Sequence, residues 1–233
     1  MFLPRRNSRL FQSGGTPWLA ACRGDGHHAP MRRHTRAPGT ASGLDIDSTT
    51  GLLAGARQLE SPNCDERPPA TVVDLVVVHG ISLPPGEFGG PWIDALFTNT
   101  LPADADPFFA GISGLRVSSH ALIRRDGEIV QYVPFHRRAW HAGQSHWQGR
   151  SGCNDFSIGI ELEGTDASAY ESIQYVRLAR LISALIGVYP GLSVEGVVGH
   201  SDVAPGRKTD PGPAFDWPLL RALLLFETEL AGA

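Results

Sequence analysis

Cysteine is scarce: Cys22, Cys64 and Cys153 are the only three in 233 residues. An odd and small number excludes a secreted scaffold held together by disulfides. Long apolar runs are missing too. No stretch of 18 apolar residues exists, so no membrane-spanning helix, and no membrane partner, is expected. A basic excess is absent from the chain as a whole, whose net charge is −4. That balance excludes a nucleic-acid binder of the usual basic kind. Lysine is nearly absent: Lys208 stands alone against nineteen arginines. What remains is ordinary globular material, 42% apolar and 19% charged, enough for one buried core.

The overall balance hides two unlike parts. Residues 1–44 carry seven arginines and one acid, Asp25, a local charge of +6. Their longest apolar run, Trp18 to Cys22, is too short for the core of a secretory signal, and Met31 offers an alternative start. Residues 1–45 are therefore expected to form a disordered basic extension, and residues 46–233 a single domain. With no export signal, the expected location is the cytoplasm.

Within the domain, Asp74 to Val78 reads as a buried strand that ends at His79. Pro91 to Phe97 reads as a short helix. Ser118 to Arg124 and Glu128 to Val133 read as strands joined through the Asp126–Gly127 turn. Ser157 to Glu163 alternates, with Ile158, Ile160 and Leu162 on one face and Gly159, Glu161 and Glu163 on the other. Glu171 to Tyr189 has helical apolar spacing and stops at Pro190. Val194 to Val198 is a strand running into His200, and Asp216 caps a last helix to about Leu230. The expected fold is α/β, a central mixed sheet flanked by helices in one domain.

Two strands thus lead into histidines, His79 and His200, and Asp210 follows in a Pro- and Gly-rich loop. Two imidazoles and a carboxylate form a common ligand set for catalytic zinc, with the fourth position left to water. Glu161, in an apolar strand, is a candidate general base for that water. The alternative is a structural carboxylate paired with Arg124 or Arg125, and position alone does not separate Glu161 from Glu163. Lys208, two residues from Asp210, offers a compact ammonium for an oxyanion. His141, beside Trp140, reads as lining a sugar-binding surface. His120 reads as a packed strand residue, and Cys153 as a weaker candidate for a thiol nucleophile.

The segments HGISLPPGEFGGPWIDALF, SSHALIRRDGEIVQYVPF, RAWHAG, CNDFSIGIELEGTD and GHSDVAPGRKTDPGPAFDW together are similar to the zinc-dependent N-acetylmuramoyl-L-alanine amidase superfamily. That superfamily includes T7-type phage lysozymes and peptidoglycan recognition proteins. The resemblance runs from about Gly51 to Phe226, with Gly80 and Gly152 as departures where relatives often carry Asn and Arg. It implies an amidase fold of the T7-lysozyme type with zinc on His79, His200 and Asp210. It makes Glu161 the general acid/base and Lys208 the transition-state stabiliser. The implied reaction is hydrolysis of the amide between the lactyl group of 1,6-anhydro-N-acetylmuramic acid and L-alanine, in cell-wall recycling. Trp140, Trp92 or Phe88 are then expected against the sugar, and Arg116 or Arg207 on the peptide carboxylates. The expected partner is an anhydro-muropeptide, met by a monomer. Competing readings are a recognition module that holds muropeptides uncut, an amidase of intact peptidoglycan, and a cysteine hydrolase using Cys153 with His141.

Overall fold

The computed structural model describes residues 44–232. The basic stretch read as a disordered extension lies, but for its last two residues, outside them. The elements in chain order are β1 (Arg57–Gln58), β2 (Cys64–Asp65), β3 (Leu75–Ile81), α1 (Trp92–Phe97), β4 (Ala121–Ile123), β5 (Ile129–Gln131), β6 (Arg138–Ala139), β7 (His146–Trp147) and β8 (Arg150–Ser151). There follow β9 (Ser157–Glu163), α2 (Ser172–Val188), β10 (Val197–Gly199), α3 (His200–Val203) and α4 (Trp217–Gly232). Six strands make one sheet in the order β1-β5-β4-β9-β3-β10. Only the β4–β5 pair is antiparallel, so the sheet is mixed, as expected. No helix among the described residues is long and apolar enough to cross a membrane.

Both faces of the central strands are covered, which is why β3 reads as an unbroken run of Leu and Val. Val76, Val78, Ile158, Ile160 and Leu162 pack with Leu178, Leu181 and Leu185 of α2 and with Leu220 and Leu224 of α4. On the opposite face, Leu75 and Val77 meet Ala142, Cys153, Phe156 and Val203. Farther along that sheet, Leu122 and Val130 meet Ile93 and Phe97 of α1. His79 has the parity of Leu75 and Val77, so it points away from α2.

Local chemistry sets the element ends. Gln174 Oε1 accepts from the Glu171 backbone amide and starts α2. Asp216 Oδ1 accepts from the Leu219 amide at 2.9 Å and caps α4. The turn at Asp126–Gly127 closes the β4–β5 hairpin, with Gly127 at φ +86°. Three sequence expectations are corrected. β3 does not stop before His79, because pairing with β9 continues through Ile81↔Glu163. β4 is only three residues long, since Ser119 Oγ and the His120 amide both turn to the Gly159 carbonyl. Residues Val194–Gly196 form a 3-10 turn before β10, and Arg221 donates to the carbonyls of both Val194 and Val197.

Candidate active site

Three parallel strands, β9, β3 and β10, end on the same edge of the sheet, where α/β folds gather their ligands. His79 lies near the end of β3, and His200 is the first residue after β10. Asp210 arrives from the loop that follows α3, its backbone carbonyl accepting from the Ser201 amide at 3.0 Å. The Tyr170 hydroxyl donates to the Pro211 carbonyl at 2.9 Å and pins that loop. Gly80 makes this possible, because a Cβ there would overlap the Tyr170 hydroxyl.

The result is a compact cluster. His79 Nδ1 is 2.9 Å from His200 Nδ1 and 3.2 Å from Asp210 Oδ2, and His200 Nδ1 is 3.0 Å from the same oxygen. Both imidazoles are buried. His200 Nε2 donates to the Ala142 carbonyl at 3.2 Å, so the lone pair of its neutral ring is on Nδ1. Two imidazole nitrogens and a carboxylate oxygen therefore converge with little for their lone pairs but one another. So small a triangle has a common point within ~2.0 Å of all three atoms, a zinc bond length, and the donor set suits that ion. Burial lowers the His79 pKa to about 4, against the pull of Asp210, which favours a neutral ligand. Burial opposes ionisation of Asp210, but the adjacent His200 and His79 rings outweigh it and hold the carboxyl below its ordinary range.

Glu161 stands directly opposite His79 in the β3–β9 register. It is buried, and among the described residues its carboxylate has no ion pair. Burial first, then the nearby Asp210, raises its pKa well above the usual carboxylate value, with Lys208 pulling the other way. Glu163 has a different setting. Its carboxylate accepts from Arg124 at 3.2 Å and from the Gly89 and Arg125 amides at 2.6 and 3.3 Å. The structure thus separates two residues that the sequence left equivalent. Lys208 is exposed and lines the same cavity, of about 220 Å³, as His79, His141, Glu161, His200 and Asp210.

Of the residues expected to bind substrate, His141 lines that cavity and the others do not. Trp140 donates through Nε1 to Asp65 at 3.2 Å. Trp92 packs on Phe109, with ring centroids 5.3 Å apart. Arg207 donates to the carbonyls of Ala142 and Gln144, each at 2.6 Å, and holds that loop. Arg116 is exposed and, among the described residues, bonds Asn99 and the carbonyl of Leu115. The thiol reading of Cys153 is corrected: burial raises its pKa, and His141 bonds Ser157 instead. His120 is packed as expected, its Nδ1 accepting from the Gly159 amide at 3.0 Å. Ser157, Asn154 and Tyr170 support the site and were not singled out from sequence. For Ser157 the signal was there, since stepping back by two along β9 from Glu161 and Gly159 reaches it.

His79, His200 and Asp210, with the Glu161 carboxylate opposite, form a donor set on this sheet edge that could hold a metal ion. The chain matches the family described as N-acetylmuramoyl-L-alanine amidase over residues 69–213 and belongs to it. It is 64% identical over 178 residues to 1,6-anhydro-N-acetylmuramyl-L-alanine amidase AmpD of Escherichia coli (strain K12), covering 76% of this chain and 97% of that protein. The crystal structure of a selenomethionine AmpD derivative superposes with a TM-score of 0.74 at 62% identity, covering 77% of this chain and 98% of that one. AmpDh3 from Pseudomonas aeruginosa, solved in complex with anhydromuramic pentapeptide, gives a TM-score of 0.51 at 25% identity over 83% of this chain and 66% of that one.

Proposed function

We propose that this chain hydrolyses the amide between the lactyl group of 1,6-anhydro-N-acetylmuramic acid and L-alanine in muropeptides released during cell-wall recycling, and that zinc is its cofactor. The observation that carries this reading is the convergence of His79, His200 and Asp210 on one point, with Glu161 opposite and Lys208 on the same cavity wall. The relatives named above supply the substrate class.

In this reading His79, His200 and Asp210 hold the ion. When bound, zinc supplies Lewis acidity, lowering the pKa of water and polarising a carbonyl. Glu161 takes a proton from the attacking water and delivers it to the leaving amine nitrogen of L-alanine. Its burial raises its proton affinity and so favours the first of these transfers, the uptake from water. Lys208 brings an ammonium to the negative charge that develops on the carbonyl oxygen.

The test is incubation of the purified protein with an anhydro-muropeptide, followed by mass spectrometry. The expected products are 1,6-anhydro-N-acetylmuramic acid and the free peptide. A chelator should stop their release and added zinc restore it. Unchanged turnover after chelation would overturn the metal assignment, and binding without cleavage would overturn the enzymatic one.

A further inference from the structure

The His141–Ala142 dipeptide touches both candidate ligand histidines, and the direction of each hydrogen bond around it is fixed by chemistry. Ser157 Oγ donates its single proton to the Cys153 carbonyl at 2.6 Å. Toward His141 Nε2, 3.1 Å away, the same oxygen must therefore accept. His141 Nε2 then carries the ring proton, and Nδ1 of the neutral ring is an acceptor. That Nδ1 lies 2.9 Å from His79 Nε2, which must be the donor. The neutral His79 ring is left with its lone pair on Nδ1, the atom that faces His200 and Asp210.

The seat for this relay is built into β9 and the turn before it. Gly159 lies directly under the His141 ring, where a Cβ would overlap it. Asn154 Oδ1 accepts from the amides of His141 and Ala142 at 3.1 and 2.7 Å and fixes their backbone. The Ala142 carbonyl is thereby presented to His200 Nε2. The His79 and His141 rings meet edge to face, with centroids 5.0 Å apart.

We propose that His141 is a positioning residue, which through Ser157 sets the His79 tautomer that exposes Nδ1 to a metal ion. This inference rests on the metal site proposed above. It assigns His141 to the ligand rather than to the sugar surface expected from sequence. Outer partners of metal-bound histidines are commonly worth 10–100-fold in affinity.

The experiment measures zinc dissociation constants by chelator competition for the wild type, His141→Phe, His141→Asn and Ser157→Ala, with His79→Ala as the ligand control. Circular dichroism checks that each is folded. His141→Phe should weaken zinc binding by roughly 10–100-fold. His141→Asn, whose Oδ1 replaces the Nδ1 acceptor, should recover most of that loss, which a merely space-filling role would not produce. Ser157→Ala covers the case in which His141→Phe does not fold, and should weaken zinc by a smaller factor. Nitrogen-15 NMR of the zinc-free wild type should show His79 protonated on Nε2. A folded His141→Phe that binds zinc as tightly as the wild type, or a His79 proton on Nδ1, overturns the proposal. Should the wild type bind no zinc, the metal reading falls by itself, and the tautomer measurement still decides the relay.

Discussion

Glu161 and Glu163 share one face of one strand, yet their surroundings give them opposite work. Glu163 neutralises the buried Arg124, which also meets Asp94 at 3.2 Å. Glu161 has no such cation against it and looks across at His79. A carboxylate buried without a matching partner is costly unless it is used. Replacing each by glutamine separates the two roles. Glu161→Gln is expected to keep zinc, by metal analysis, and a melting temperature near that of the wild type, while turnover falls by about 10²–10⁴. Loss of zinc in parallel with activity would make Glu161 part of the metal's grip instead. Glu163→Gln is expected to lower stability by about 1–3 kcal/mol in a denaturant titration, because Arg124 keeps only part of its charged environment. A neutral effect there would mean that Asp94 and Glu128, whose carboxylate is 3.6 Å from the Arg124 guanidinium, suffice for Arg124.

Strands and helices with strong periodicity were readable from the sequence alone. Ser157 to Glu163 alternates without a break, and β9 has those same bounds. The helix expected over Glu171 to Tyr189 is Ser172–Val188, because its apolar positions repeat and Pro190 ends it. Pairing is less readable than burial. β3 runs on to Ile81 because β9 continues beside it, although its apolar run stops at Val78. The His-His-Asp set could be proposed from strand ends and loop chemistry, but its convergence depends on the order of strands, which local spacing does not carry. The outer partners were harder still, since Ser157 and Asn154 act through single atoms that no periodicity marks. At this scale α2 should behave as core alone. Leu178→Ala, at a fully buried position between the sheet and α4, is expected to cost about 2–5 kcal/mol while zinc affinity stays unchanged. A large change in zinc affinity would show that the helical layer and the site are coupled across the sheet.

The chain as a whole brings together residues 79, 200 and 210, and the intervening sequence supplies most of the sheet and α2. Strand β9 enters the sheet between β4 and β3, and β10 joins at the far edge beside β3. The donor triangle therefore exists only once β3, β10 and the loop after α3 are in place. An unfolded chain holds its three donors too far apart to act together, so an ion bound by all three favours the native state by mass action. At free zinc a hundred times its dissociation constant, the expected gain is about 2.7 kcal/mol. For a domain of this size that corresponds to a rise of roughly 5–11 °C in melting temperature. Calorimetry with and without zinc reads this directly, and His79→Ala should abolish the rise. A zinc-induced shift that survives in His79→Ala would place the stabilising ion elsewhere on the molecule, for example on His27, His28 and His34 of the basic segment. Repeating the scan on a chain that starts at residue 44 would then separate the two sites, because the triad and its supports lie entirely within residues 44–232.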